Sequence, residues 1–358
     1  MIDLSKIAQS VPENGTGFNF GLNFDFFVNV KNIHIGEGIW DFGITTNVDG
    51  DISVNIPKSL FELVAEGNIE RQDVSGKISG SGGVYSEIGL TGSAKYKVAE
   101  KTLRVGAKPA VFAPAAYVSS GSGISYHLYS EKTDEDGKKM EGLFLDTDGG
   151  ISVYTAFDEN MNIDFGTGFD LSLEAEYALF PFLDVGGSFS HIPFAPAKLT
   201  NEMKMGIRPF NIDMDGETLI GGGDPEISEL EFEDPVFNSG VEKKVYRPLR
   251  FDVYARYKPF NSELLVVKPN IGFSANINQG DEKGYFNAGL ELDLNLINLL
   301  TLYLGSGYQE EVWRQRIGLG LNLRAFELDL HAVLRDQTFE GCFNGRGFEI
   351  SLGMRFGW

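Results

Sequence analysis

Hydrophobic and polar residues alternate with a period of two along most of this chain, and the pattern is clearest at its C-terminus. The last twelve residues, Gly347 to Trp358, place six apolar side chains on one parity: Phe348, Ile350, Leu352, Met354, Phe356 and Trp358. A two-residue period is typical of a strand with one apolar face. Chain ends usually fray, so such a regular final segment predicts a strand that is paired with another, and we expect its partner to be the strand around Phe18 to Val30.

The same period recurs throughout the sequence. Clear examples are Phe18 to Val30, Phe169 to Leu179, Phe286 to Leu296, Ile317 to Leu323 and Phe326 to Ala332, and weaker ones are Val84 to Val98, Leu103 to Val111, Leu249 to Tyr257 and Leu265 to Ile277. Strands of soluble proteins usually have about five or six residues, whereas a tilted membrane strand needs roughly nine to eleven. The polar parity mixes Gly, Asn, Ser and both signs of charge, as a barrel lumen does. The pattern therefore predicts an all-β, antiparallel transmembrane barrel that forms a single unit over residues 1–358.

Connections between these segments alternate in length. From the C-terminus backwards they run long (RDQTFEGCFNGRG), short (LRAF), medium (GYQEEVW), short (LINLL), medium (NQGDEKG) and short (KPFNSE). Outer-membrane barrels have short periplasmic turns and longer outer loops, so we expect two unequal rims. Acidic outer loops are predicted at residues 131–150 and 213–245. Strands do not assign cleanly between Leu183 and Val245, which leaves the strand count uncertain by two.

One segment departs from the β pattern. Within a predicted insertion at residues 49–83, the stretch 57–67 (PKSLFELVAEG) begins with proline and ends with glycine, as helices often do. Its apolar side would carry Leu60, Phe61, Leu63 and Val64. Two interpretations stay open, a helix packed on the barrel rim and a mobile gate over the lumen. Residues 1–17 are expected to form a periplasmic or plug segment.

Composition narrows the function. The net charge of −21 and the lack of a basic cluster argue against nucleic acid as a partner. The single cysteine, Cys342, excludes an intrachain disulfide. No apolar run is long enough for a transmembrane helix, and the beginning of the chain lacks the pattern of a secretory signal. For an outer-membrane protein, we expect the signal to have been removed or replaced by Met1.

The sequence carries no recognisable catalytic motif. The four histidines are scattered, no nucleophile elbow is present, and we predict a protein that is not an enzyme and has no metal or cofactor. Cations on the inward parity are the ligand-binding candidates: Arg104, Lys108, Arg250, Arg256, Lys268, Arg316 and Arg324. They would either pair with inward acids or attract an anionic headgroup.

Two resemblances follow from these residues. The final strand, Phe348 through Trp358, looks like the C-terminal signal that the outer-membrane assembly machinery reads. The stretches LRVGAKPAVFAPAAYV, IPKSLFELVAEG, RPLRFDVYARYKPF and KPNIGFSANI are similar to a spirochaetal outer-membrane barrel family that is often compared with FadL-type long-chain fatty-acid transporters. The resemblance implies about 14 strands (12 to 16), an N-terminal plug and passive uptake. A FadL-type plug is longer than the seventeen residues that precede Phe18 here.

Two functional hypotheses remain. The first is an outer-membrane barrel for passive uptake of hydrophobic or amphipathic small molecules such as long-chain fatty acids. The alternative is a structural or surface-interaction barrel with a closed lumen. An apolar pocket inside the barrel would favour the first, and a lumen filled with ion pairs and lacking a cavity would favour the second. Membrane lipid and the assembly machinery are the expected partners of a monomeric chain.

Overall fold

The computed structural model describes residues 15–59, 74–133, 139–206, 210–213, 234–296, 299–323 and 325–357. The first nine strands are β1 (Thr16–Ile35), β2 (Gly38–Ile56), β3 (Val74–Val98), β4 (Lys101–Val118), β5 (Gly123–Thr133), β6 (Lys139–Thr155), β7 (Gly168–Phe180), β8 (Leu183–Ala195) and β9 (Ala197–Met205). The others are β10 (Phe210–Asp213), β11 (Val236–Val245), β12 (Leu249–Tyr257), β13 (Leu265–Asn276), β14 (Lys283–Leu296), β15 (Leu300–Gln309), β16 (Val312–Asn322), β17 (Phe326–Asp336) and β18 (Gly347–Gly357). A single 3-10 turn, Gly341–Asn344, precedes β18.

These strands form one closed sheet. β8 continues into β9 and β11 into β12 with short breaks, and the pair β9–β11 extends the pair β8–β12. With each continued strand counted once and the short β10 set aside, the described residues form a closed all-β barrel of 15 strands. This confirms the predicted barrel and lies within the expected range of strand counts.

The barrel closes through a parallel seam. β1 pairs with β18 from Asn19 opposite Gly347 to Asn29 opposite Gly357, and the two strands run in the same direction. The predicted partnership of the last strand with the Phe18 to Val30 strand is therefore confirmed. The prediction of an entirely antiparallel barrel is wrong, because an odd number of strands joined by hairpins brings two strands of equal direction together at closure.

The two rims differ as predicted. One carries short connections such as 36–37, 99–100 and 181–182, and the other carries the connections 57–73, 277–282 and 337–346. The exceptions are the β15–β16 connection on the long-loop rim, a two-residue turn at Glu310 and Glu311, and the seven-residue β12–β13 connection, 258–264, on the short-turn rim. β1 begins on the long-loop rim, where Thr16 faces Ile56.

The outward face is apolar and the inward face is polar. Exposed outward side chains include Phe20, Leu22, Ile44, Ile88, Leu90, Ile271, Phe286, Ile317, Leu330, Phe348 and Ile350. Aromatic rings cluster at the short-turn rim, where Phe180 stacks on Phe182 at 5.4 Å and Phe326 contacts Phe356 at 4.8 Å. An apolar band with aromatic residues at its edge suits the hydrocarbon and interface of a bilayer. None of the described residues belongs to a helix that is long and apolar enough to cross a membrane.

On the long-loop side of the start of β7, the hairpin β5–β6 completes the wall. β5 pairs with the first residues of β3, while the end of β6 pairs with both β4 and β9. A small buried core forms at this junction, from Tyr85, Phe112, Tyr117, Ala156, Ala197, Leu199 and Val245. Residues 131–133 and 139–150 therefore lie in strands, where an acidic loop had been predicted.

Other predicted boundaries also change. Residues 49–56 belong to β2 and residues 74–83 to β3, so the connection is 57–73 instead of 49–83. Residues 236–245 form β11, which shortens the loop predicted at 213–245. Of the predicted segment 1–17, residues 16 and 17 start β1, and residues 1–14 lie outside the described part. Residues 58 and 59 are helical, and the rest of the predicted helix, with Leu60, Phe61, Leu63 and Val64, lies outside the described residues.

The seam can be tested by crosslinking. Asn23 and Ser351 are partners in the parallel register, with side-chain oxygens 3.5 Å apart, so we expect Asn23→Cys with Ser351→Cys to form a disulfide on mild oxidation. The experiment uses a Cys342→Ser background and detects the crosslinked peptides by mass spectrometry. Asn29→Cys with Ser351→Cys is the control, because a six-residue offset separates these positions by about 20 Å. A disulfide in the control with none in the first pair would refute this register.

Candidate functional site: a divided polar lumen

The lumen contains two chambers. The lower chamber, at the short-turn end, has a volume of about 700 Å³, and the upper chamber, at the long-loop end, has about 420 Å³. His191 on β8 lines both of them. Both linings are rich in charged and hydroxyl side chains. The lower one includes Asp25, Lys95, Arg104, Lys108 and Glu174, and the upper one includes Asp49, Arg247, Arg250, Arg314 and Arg335.

A cluster of four charges, three of them buried and Lys108 partly exposed, lies between the chambers, and we call it the Arg247 cluster: Arg247, Glu87, Asp170 and Lys108. Arg247 donates Nε and Nη2 to the two oxygens of Asp170 at 2.8 and 2.7 Å, and its Nη1 contacts Glu87. Lys108 donates to the other oxygen of Glu87 at 2.6 Å. Arg247 lines the upper chamber and Lys108 the lower one, so Glu87 is held from both sides.

Charge balance explains why this cluster is tolerated in the interior. Two cations face two anions, and the bidentate contact with Asp170 satisfies the carboxylate geometrically. Arg247 also lies over the ring of Phe112, at 5.2 Å from its centroid. Such a contact adds attraction between the guanidinium and the ring face. The cluster is therefore a charge-balanced contact between the two chambers.

A strand break places Arg247 in this position. Tyr246, Arg247 and Pro248 separate β11 from β12, and proline cannot donate to the ladder. At the break, the side chain of Asn278 bonds the backbone of Tyr246 in place of a neighbouring strand. Its Oδ1 accepts from the Tyr246 N–H at 2.6 Å, and its Nδ2 donates to the Tyr246 carbonyl at 3.0 Å. On the other side, His191 Nδ1 lies 3.1 Å from the Pro248 carbonyl oxygen. The break therefore costs little backbone hydrogen bonding and turns Arg247 inward.

All six of the predicted lumenal cations that the structure describes are ion-paired. The pairs are Arg104 with Glu174 at 3.7 Å, Lys108 with Glu87 at 2.6 Å, Arg250 with Glu310 at 3.1 Å, Arg256 with Glu263 at 3.5 Å, Lys268 with Asp293, and Arg316 with Glu291 at 2.8 Å. They are spread over both chambers and the short-turn rim and do not converge on one point. Arg324 lies outside the described residues, as does Trp358.

Sequence reasoning missed four cationic and acidic groups of the upper chamber: Arg314, Arg335, Glu349 and Asp51. Arg335 donates Nη2 to Asp51 at 2.5 Å and Nη1 to Glu349 at 3.4 Å, and Arg314 contacts the same Glu349 oxygen. Arg314 is one inward position beyond Arg316, and Arg335 is three beyond Asp329 on the same parity, so extending each pattern towards the long-loop rim would have found both. Arg247 gives no such signal, because the parity breaks at Pro248.

The long-loop rim is closed by a second contact, which we call the rim latch. The carboxylate of Asp281, in the β13–β14 connection, is fully buried and accepts five hydrogen bonds. The donors are Tyr117 Oη at 2.9 Å, Ser119 Oγ at 2.9 Å, Ser120 Oγ at 2.9 Å, the Gly121 N–H at 2.8 Å and Lys243 Nζ at 3.1 Å. The latch fastens this connection to the β4–β5 turn.

The observed lumen matches neither of the two outcomes that the sequence hypotheses distinguish. The chambers are real cavities, yet their walls are ion-paired. Within the described part of the chain, an apolar cavity of about 520 Å³ opens instead on the outer face, where it is lined by Leu290, Leu304, Ile317 and Phe343. No group of three or more His, Cys, Asp or Glu side chains among the described residues could hold a metal ion.

Removing Arg247 should cost far more stability than removing a solvated lumenal cation. In Arg247→Met, Asp170 loses its only ionic partner among the described residues, and breaking a buried ion pair costs about 3–5 kcal/mol. The matched variant is Arg104→Met, whose pair with Glu174 is 44% and 49% exposed, and its cost should stay below about 1 kcal/mol. Denaturant unfolding in detergent micelles measures the free energy of unfolding of both variants. Equal losses would contradict the buried ion pairs of the Arg247 cluster.

The rim latch should open only in strong acid. Burial alone raises the pKa of Asp281, but the Gly121 N–H and the Tyr117, Ser119 and Ser120 hydroxyls outweigh it and hold that pKa below its usual 3.8. The stabilisation is therefore complete above that usual value and is lost as the pH falls through the lower folded value. The protection factor of the Gly121 amide in hydrogen exchange should be constant from neutral pH to about pH 5 and fall below about pH 4. A fall of the protection factor already above pH 5, or an unchanged protection factor in Asp281→Asn, would show that this carboxylate does not hold the two connections together.

Comparison with known proteins identifies structures of similar architecture. The toluene transporter TodX of Pseudomonas putida has a TM-score of 0.38 and 11% identity, with 91% of this chain and 86% of that chain covered. A FadL homologue of Pseudomonas aeruginosa has a TM-score of 0.33 and 9% identity over 82% and 69%, and the CymD monoaromatic hydrocarbon channel has 0.36 and 11% over 94% and 86%. Values this low describe a distant likeness of fold and say nothing of a substrate.

No curated protein matches the chain. A family match is found over residues 5–189, just over half of the chain, and its description is a family of unknown function, DUF5723. The matched stretch runs from the N-terminal segment through β1 to β7 and into β8, and so includes Glu87, Lys108 and Asp170 of the Arg247 cluster. This chain belongs to the DUF5723 family.

Proposed function

We propose that this protein is an outer-membrane barrel that lets small amphipathic molecules pass by diffusion through its divided lumen. The observation that carries the proposal is the pair of chambers, about 700 and 420 Å³, with the Arg247 cluster between them and His191 on both sides. Interior side chains alone fill barrels of about eight strands, whereas this wider barrel keeps two cavities that are large enough for small solutes. The apolar outward face supports the placement in a membrane.

The lining narrows the class of molecule. Walls of paired Arg, Lys, Asp and Glu with Ser, Thr and Asn offer hydrogen bonds at every level, and an apolar solute gains nothing there in exchange for its own dehydration. A long acyl chain would lie against these groups, so long-chain fatty acids fit less well than compact solutes with several polar groups. Rearrangement of Arg247 sets the rate at which such solutes pass, because its guanidinium lies between the chambers.

A closed, structural barrel is the second candidate, and two contacts favour it. The Arg247 cluster lies between the two chambers, and the rim latch of Asp281 fastens a connection at the long-loop rim. In this case the outer surface and its connections would carry the function. Under either candidate, we propose that the final strand, Phe348 to Trp358, is read by the outer-membrane assembly machinery and that the barrel inserts as a monomer.

Liposome swelling distinguishes the two candidates. The full chain, folded into liposomes, should admit small neutral solutes such as glycerol at a rate that falls with solute size. Arg247→Met should swell several-fold faster, because the guanidinium that holds Glu87 and Asp170 between the chambers is removed, while Arg104→Met should behave like the unmodified protein. Heat-modifiable migration on gels verifies that each variant is folded. If neither the unmodified protein nor Arg247→Met admits any solute although both are folded, the lumen is closed and the second candidate holds.

A further inference from the structure

The connection between β6 and β7, residues 156–167, is itself a small hairpin, and we call it the outer hairpin. Phe157 and Ile163 pair across it as an antiparallel bridge. The carboxylate of Asp158 organises the turn between them: one oxygen accepts from the Asn162 N–H at 2.8 Å, and the other accepts from the Asn162 side chain at 2.8 Å. The turn is therefore held by its own side chains, so the hairpin has a defined shape.

The outer hairpin has one apolar side. Met161, Ile163 and Phe165 share one parity, and the residues between them are polar. These three side chains are 71%, 57% and 48% exposed. Phe157, opposite Ile163 in the bridge, adds its ring to the same side and meets the ring of Phe165 at 6.3 Å. Contiguous exposed apolar side chains of this kind mark an interaction surface.

Contacts with β9 place the hairpin on the outside of the wall. Leu199 on β9 is buried in one cluster with Tyr85 and Tyr117, and these two tyrosines line the upper chamber. Because side chains alternate along a strand, the next residue, Thr200, points away from the lumen. Its Oγ1 donates to the Asp164 carboxylate of the hairpin at 3.4 Å. None of the described residues that line the two chambers belongs to the hairpin.

The length of β7 sets the height of the hairpin on the wall. The 13 residues of β7 run from the end of the hairpin to the stacked rings of Phe180 and Phe182 at the short-turn rim. A tilted strand crosses the hydrocarbon of a bilayer with about nine to eleven residues, so the hairpin lies at the opposite edge of the apolar band. Phe169 and Phe194, with centroids 5.8 Å apart, continue the exposed apolar wall to this edge.

A second group of rings marks the same edge elsewhere on the barrel. Tyr308 shares the outward parity of Leu304 and meets Trp313 at 5.4 Å, and Trp313 meets Phe339 at 5.4 Å. β15, which ends next to Tyr308, has 10 residues. Aromatic residues therefore flank the apolar band on the long-loop side as well, as they do at both interfaces of outer-membrane barrels.

We infer that the outer hairpin inserts its apolar side into the lipid bilayer, at the boundary between headgroups and acyl chains on the long-loop side of the barrel. Amphipathic helices at membrane interfaces bury their apolar faces about 5–10 Å into this boundary, and the hairpin does the same with a β element. The insertion anchors this side of the wall at a fixed depth. The inference rests on the proposed function, because it requires the wall to lie in a membrane.

The contact with lipid is apolar and does not depend on charge attraction. The turn and the polar side carry Asp158, Glu159 and Asp164. Lys198, beside the hairpin on β9, already pairs with Glu242 at 3.0 Å. An acidic element is not attracted to anionic headgroups, and salt does not weaken an apolar contact. Uncharged or zwitterionic lipid is therefore a sufficient partner.

Depth-dependent fluorescence quenching tests the insertion. Single cysteines in the full chain with Cys342→Ser carry a nitrobenzoxadiazole label, in phosphatidylcholine vesicles with a nitroxide near the headgroup or near the end of the acyl chain. The label at Ile163→Cys should be quenched more by the shallow nitroxide, and at least threefold more than the label at Asn160→Cys on the exposed polar side. The label at Ile271→Cys, in the middle of the outward face of β13, should be quenched more by the deep nitroxide.

The three labels separate this inference from the proposed function. Quenching at Ile271→Cys, with Ile163→Cys no more quenched than Asn160→Cys, would refute the anchor and leave the membrane barrel intact. Absence of quenching at Ile271→Cys would refute the membrane placement itself. Shielding of Ile163→Cys from aqueous iodide that grows with the protein-to-lipid ratio, without quenching by either nitroxide, would show that a second copy of the chain covers the hairpin, and would overturn the inference.

Charge substitutions give a second test that needs no label. Met161→Asp with Ile163→Asp places two charges on the apolar side, and should lower the urea midpoint for unfolding from phosphatidylcholine vesicles equally at low and high salt. Asn160→Asp with Thr167→Asp adds the same charges at exposed polar positions of the hairpin and should leave the midpoint unchanged. Heat-modifiable migration on gels verifies that both variants fold. Equal midpoints in the two variants would overturn the inference.

Discussion

Closure of the sheet is the constraint on which the rest of this structure depends. For a barrel placed in a membrane, as we propose, an unpaired backbone N–H or C=O in hydrocarbon costs several kcal/mol, so every strand of the wall must have neighbours on both sides. Hairpins join consecutive strands, so the last neighbour has to come from the pairing of β1 with β18. Because the number of strands is odd, these two strands run in the same direction. The parallel seam is the consequence, and it also places the start of β1 on the rim that carries the long connections.

A closed wall with an apolar outer face forces the polar residues inward, and the lumen has to accommodate them. It does so by pairing charges across strands and by folding side chains over glycines of neighbouring strands. Such pairing is close to neutral in energy but sensitive to the loss of a partner. For this reason a single guanidinium, that of Arg247, can hold Glu87 and Asp170 together and divide the interior.

Much of the wall could be predicted from the sequence. The alternation of Phe286 to Leu296 or Phe326 to Ala332 predicts which side chains face outward, because the two faces of a strand follow from the backbone geometry of the strand itself. The partner of the last strand was predicted for a related reason, since an apolar terminal strand cannot remain an edge. The Arg247 cluster could not be predicted, because Arg247 lies in a strand break where parity carries no information and its partners are distant in sequence.

The sequence by itself determined the two faces of the wall and the inequality of the rims, because each depends on neighbours within a few residues. Only the tertiary structure decided the direction of the seam, the pairing of Arg104, Arg250 and Arg316 with particular acids, and the division of the lumen. These depend on strand number and register around the whole ring. A contact such as that of Arg247 with Glu87, across 160 positions of chain, exists only once the ring is closed.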